Sequence, residues 1–110
     1  MDVLVDFESL PWQSPRPGVR LKAVEHGDQR LRLVEFSEGY EEPDWCTQGH
    51  AGRVLEGAFT LELRDRSVRL AEGDALFLPA GDEHAHRPVV GAGERVLLLL
   101  VEPMAPSRRR

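Results

Sequence analysis

Along most of the chain, apolar and polar residues alternate with a period of two, and the apolar runs that break this rule are short. Phe59, Leu61 and Leu63 share one parity while Thr60, Glu62 and Arg64 share the other, and after the polar turn Arg64-Asp65-Arg66-Ser67 the alternation resumes at Val68 and Leu70. That arrangement predicts a β-hairpin with one buried face. The same reasoning predicts strands at 19–25, 30–36, 52–56, 75–78, 84–89 and 95–102. No window of eleven or more residues carries a 3.6-residue apolar stripe, so any α-helix is short and peripheral. Ten glycines and eight prolines cut the chain into short pieces, and residues 10–18, with Pro11, Pro15, Pro17 and Gly18, read as an extended arm or loop. Short strands at this density, roughly eight in a hundred residues, predict an all-β sandwich or barrel.

Strand 95–102 departs from alternation. Val96 to Val101 are six consecutive aliphatic residues, and successive side chains of one strand point to opposite faces, so they cannot all enter one core. The outward set needs a cover: another strand layer, the 10–18 arm, or a second copy of the chain. A homodimer is the expectation, and its two-fold interface would bury on the order of 2,000 Å².

Length and charge narrow the picture. A chain of 110 residues with 41% apolar residues supports one core, which excludes a second nucleotide-binding domain. The net charge is −5, but three of the 14 basic residues are the terminal Arg108, Arg109 and Arg110, which leaves 11 basic against 19 acidic residues before them. An acidic body is no nucleic-acid surface, and the arginine end reads as a solvated tail. No apolar run approaches the roughly 18 residues of a membrane span, and the start Met1-Asp2-Val3 is no basic signal sequence, so a cytoplasmic protein is expected. A lone cysteine, Cys46, agrees with a reducing compartment and leaves ligation, reactivity or packing as its roles.

Chemistry concentrates around the hairpin. Of the four histidines, His26 sits in the turn sequence Glu25-His26-Gly27-Asp28, whereas His50, His84 and His86 flank the hairpin on its two sides. The stretch from Gly73 to His84 runs Gly, five residues, Pro, one residue, Gly, two residues, His. In a chain of this composition that spacing is expected by chance only about 0.002 times. Serine chemistry has no comparable support: Ser9, Ser14, Ser37, Ser67 and Ser107 stand in no nucleophile-elbow context, and there is no Gly-rich phosphate loop.

At Gly73, Pro79, Gly81 and His84 the chain resembles the second sequence motif of the cupins, small jelly-roll barrels with a double-stranded β-helix. Gly52-Arg53-Val54-Leu55-Glu56-Gly57 resembles the close of their first motif, and the resemblance extends over about residues 30–102. It implies an arm and first strands over 1–29, a barrel over 30–103 and a basic tail over 104–110. It also implies a metal ligand at His84. Counting back from Gly57 puts His50 where the family has Glu, and Asp44 and Cys46 where it has His-x-His; Pro88 replaces an Asn often found after the second motif. The frame is therefore present with altered ligands.

Asp44, Cys46, His50 and His84 would together suit a divalent ion, zinc or ferrous iron first. Each also has a plainer reading: Cys46 as a small buried hydrophobe, Asp44 as a turn residue. His50 and His84 are expected to converge inside the barrel. His86 could replace His84 if the strand register shifts, could support a bound ligand, or could be a solvated residue; with Glu56 it is the candidate proton carrier. Trp12, Trp45, Phe36, Tyr40 and Phe77 either line a pocket or fill the core. The function implied is a small cupin that binds a metal and a small organic ligand, as an oxygenase or isomerase, or else as a non-catalytic sensing module acting on a partner protein.

Overall fold

In a computed structural model, which describes residues 3–104, eight antiparallel strands curl into a barrel. They are β1 (Gln13–Arg16), β2 (Val19–His26), β3 (Gln29–Phe36), β4 (His50–Leu63), β5 (Ser67–Ala71), β6 (Ala75–Leu78), β7 (His86–Val89) and β8 (Val96–Pro103), with two single 3-10 turns at Phe7–Ser9 and Asp82–His84. The all-β class read from the alternation and the barrel implied by the resemblance are thus the fold. The arginine end 108–110 lies outside the described residues.

Two segments read separately in the sequence, 52–56 and the first arm of the hairpin, are one fourteen-residue strand. Its first half pairs with β8 and β6, and its second half with β5 and β7, so β4 passes from one sheet into the other. A register shift between Val54 and Glu56, followed by Gly57 at φ 82°, supplies the bend. A Cβ at Gly57 would stand 1.8 Å from the Arg95 carbonyl oxygen, so no other residue fits there. At Gly52 the same test meets the Leu99 carbonyl at 1.9 Å; β4 lies against β8 with no room for a side chain two residues from His50.

Part of the 10–18 segment differs from its loop reading. Gln13–Arg16 pairs with β2 as an edge strand, an edge position being where prolines such as Pro15 are tolerated. Before it, the arm crosses the outer face of β2. There Lys22 Nζ donates to the Phe7 carbonyl at 2.7 Å, and the Trp12 ring lies under Arg20 and Lys22.

Register explains what faces inward. β8 turns Val96, Leu98, Leu100 and Glu102 into the barrel, all buried. Their β3 partners are Phe36, Val34, Arg32 and Arg30, so the interior grades from apolar at one end to charged at the other. The apolar end is completed by Val54 and Phe59, at 0% and 2% exposure, and Phe36 stacks on Tyr40 with ring centroids 5.2 Å apart. Opposite parity puts Leu97, Leu99 and Val101 on the outer face.

Candidate metal centre

Strand and bridge pairing sets the direction of each side chain at the charged end. Cys46 forms an isolated bridge with His86, with both backbone hydrogen bonds made, at 2.8 and 3.0 Å. Directly paired residues share a face, so both side chains enter the barrel together. His50 opens β4, and the pairing of Ala51 with Val101 carries it beside Glu102 of β8. Ligand atoms of Cys46, His50 and His86 lie within 4.8 Å of one another, and the two imidazoles meet edge to face at 5.1 Å.

The hydrogen bonds orient these rings. His50 Nδ1 donates to Glu102 Oε1 at 2.7 Å, and His86 Nδ1 donates to the His84 carbonyl at 3.0 Å. A ring whose Nδ1 proton is engaged turns its Nε2 to the opposite side, which here is the shared centre. Cys46 Sγ is 3.6 Å from His50 Nε2. His86 Nε2 is buried with no hydrogen-bond partner, close to Cys46 but outside bonding geometry. A buried, orphaned acceptor is costly unless something supplies a positive partner, and a metal ion would do so.

Electrostatics follow from the same contacts. The hydrogen bond of His50, then the proximity of His86, outweighs burial and holds the Cys46 thiol down at about 6. Burial works against the His50 imidazolium, yet hydrogen bonds to Cys46 and Glu102 outweigh it, and its pKa is raised. Burial likewise pushes Glu102 up, while His50, Arg30 and Arg32 together bring it to about 2. Glu102 accepts from Arg30 Nε at 2.9 Å and Arg32 Nη2 at 3.0 Å. A thiol of lowered pKa, an imidazole of raised pKa and a carboxylate of lowered pKa therefore adjoin one another in a row.

Two residues expected at the centre lie elsewhere. His84 ends the 3-10 turn, whose bonds His84 N to Gly81 O and Ala85 N to Asp82 O consume the chain between Gly81 and the strand. Its ring is exposed and its contribution is the carbonyl that orients His86, so His50 converges with His86 and not with His84. Asp44 is exposed at the cavity rim. Glu56, a proton-carrier candidate, follows the irregularity after Val54, which turns it outward to pair with Arg95 at 3.0 Å. Glu102, Arg30 and Arg32 were missed as site residues. No local signal marks them: Leu31 and Leu33 occupy the opposite parity of β3, so alternation alone would turn Arg30 and Arg32 outward.

A cavity of about 570 Å³ opens from this centre. Its walls are Val19, Leu21, Phe36, Phe59, Leu76 and Leu98 among others, with Trp45 near the mouth between the Arg64 and Arg87 guanidiniums. Of the aromatic residues considered, Phe36 and Trp45 line it, Tyr40 is core, Trp12 lies outside and Phe77 is 80% exposed.

Comparison with known proteins agrees with this architecture. The Cupin domain family profile matches residues 32–101. No protein of curated function matches. The polyketide cyclase RemF from Streptomyces resistomycificus is 26% identical with a TM-score of 0.80, over 96% of this chain and 81% of that one. KdgF from Halomonas sp. is 27% identical with a TM-score of 0.76, over 96% of both chains. A chain in the structure of Rhodobacter sphaeroides SigE in complex with the anti-sigma ChrR is 26% identical with a TM-score of 0.67, over 88% of this chain and 50% of that one.

Proposed function

Given that this chain belongs to the cupin domain family, we propose that it holds a divalent metal ion on Cys46, His50 and His86 and binds a small organic molecule in the barrel beside it. One observation carries the reading: two imidazoles with their Nδ1 protons engaged converge on a thiol, and one converging nitrogen is buried without a partner. A donor set of one thiolate and two imidazoles suits zinc or ferrous iron, and three protein ligands leave coordination positions open. A bound ion would supply Lewis-acid polarisation of a ligand oxygen. The chain's own contributions are separate. Glu102 holds His50 in one orientation, the His84 carbonyl does so for His86, and the apolar walls exclude water from whatever is bound.

The reaction class we favour is metal-assisted oxygenation or isomerisation. A sensing module acting on a partner protein is the second reading, favoured by likeness to a chain of the SigE and ChrR complex and by a thiolate ligand, which oxidation would remove. Oxygen consumption with candidate ligands separates the two. A cytoplasmic location is part of the same proposal, supported by the need for a reduced Cys46. Elemental analysis of the purified protein tests the centre: about one metal per chain supports it, and a folded chain that takes up none under zinc or iron supplementation refutes it.

We also retain the homodimer. On the outer face an apolar row runs through paired residues of five strands, Val24, Leu31, Val101, Ala51 and Phe77, with Val101 at its middle 42% exposed and Phe77 at one end 80% exposed. The N-terminal arm covers Lys22 and leaves these two open. A second copy can cover its twin row by a two-fold axis. Sedimentation of the 12.4 kDa chain at high micromolar concentration should give twice that mass and fall to the monomer in a Phe77→Asp, Val101→Asp variant; a monomeric wild type refutes the dimer.

A further inference from the structure

The cavity's chemistry points to the class of its ligand, an inference that rests on the small-molecule reading above. We infer that the ligand is an organic acid with an apolar body, whose carboxylate is received at Arg32 beside the metal centre.

The first ground is charge. Arg30 and Arg32 face into the barrel at the charged end, and one carboxylate, Glu102, answers both. Arg32 donates one bond to it, while its Nε is buried with no partner. Among the described residues, the two buried side-chain nitrogens without partners are Arg32 Nε and His86 Nε2, and both residues line this one cavity. Two guanidiniums against one carboxylate leave one uncompensated positive charge. A divalent ion on one thiolate adds another. The remaining charged groups do not cancel this excess: Glu42 is engaged by Arg16 and the Tyr40 hydroxyl at the rim, and Asp44 stands in water, where its charge is screened. Excess positive charge in a half-open cavity selects an anion, and a planar guanidinium matches a carboxylate in particular.

The second ground is what the walls lack. Nine of the lining side chains are aliphatic or aromatic, from β2, β3, β4, β6 and β8, and the neutral hydrogen-bonding side chains beside Cys46 are Thr47, Gln48 and the Trp45 indole. A polyol or sugar phosphate buried against such walls would leave hydroxyls unpaired, each costing about 1–3 kcal/mol. An apolar body loses nothing there and gains by leaving water.

Calorimetric titration of the full chain, loaded with zinc and checked for zinc content, tests this with three probes: phenylpyruvate, its neutral analogue phenylacetone in which a methyl group replaces the carboxylate, and glucose 6-phosphate. Phenylpyruvate should bind at least about tenfold more tightly than either of the others. In samples matched for zinc content, Arg32→Gln should bring it close to phenylacetone. Equal binding of phenylacetone, tighter binding of glucose 6-phosphate, or no binding of phenylpyruvate overturns the inference. The three-probe comparison on the wild type decides the matter even if the variant does not fold. A chain that retains no zinc overturns the metal reading alone, because the two guanidiniums facing one carboxylate remain and the same comparison still tests the acid.

Discussion

The two ends of the barrel interior share β3, β4 and β8, yet they are stabilised by opposite means. At one end Val96, Val54, Val34 and Phe59 are sealed by close packing. At the other, two registers along, Glu102 is 2% exposed and is held by three cationic or ring donors, His50, Arg30 and Arg32. The apolar end can be perturbed only by changing volume; the charged end can be undone by removing a single partner. Stability should therefore reside mainly in the first end and ligand chemistry in the second.

Four changes test that division. Replacing both His50 and His86 by Ala should take bound zinc from about one per chain to none, with the far-ultraviolet circular dichroism of the barrel retained; stoichiometric metal in this variant would mean the ligands are elsewhere. Phe59→Ala at the sealed end should cost about 3–5 kcal/mol of stability in urea unfolding, and its zinc affinity, measured by competition with a chelator under native conditions, should stay within a few-fold of wild type.

Glu102→Gln crosses the boundary between the two ends. It keeps a group that can accept the His50 Nδ1 proton but removes the charge, and zinc affinity should fall about 10- to 100-fold. It should also alter acid stability. Because folding lowers the Glu102 pKa from 4.5 to about 2, its contribution is complete above the ordinary carboxylate range and is lost as pH falls from there toward 2. The wild type should lose this increment in acid, and the Gln variant should lack that part of the dependence. His84→Ala should have the smallest effect, since only its carbonyl is used: metal content and affinity should match the wild type, and loss of metal would restore His84 as a ligand.

Cys46 offers a finer probe of the charged end. Without metal, its alkylation by iodoacetamide should rise with pH through a midpoint near 6, and zinc should suppress it. Equal rates with and without zinc would make Cys46 a packing residue and leave the two imidazoles as the protein's ligands.

Alternation and glycine placement determined much of this protein before any tertiary contact. They carried the β class, six of the strands to within a few residues, the hairpin of β4 and β5, and the two-sided character of β8. Resemblance to the first cupin motif, whose frame ends at Gly57, a position that tolerates no side chain, marked Cys46 and His50 as site candidates. Tertiary structure alone decided which histidine joined them. The spacing favoured His84, but a 3-10 turn takes up residues 82–84, and the bridge between Cys46 and His86 sets the inward parity two residues later. Likewise, nothing local in Glu102 distinguishes a solvated strand end from a buried carboxylate. Its role exists only because β8 lies between β3, which brings Arg30 and Arg32, and β4, which brings His50. Parity along a strand is a local property and is written in the sequence; which strands become neighbours is not, and a site built across three of them appears only when the barrel closes.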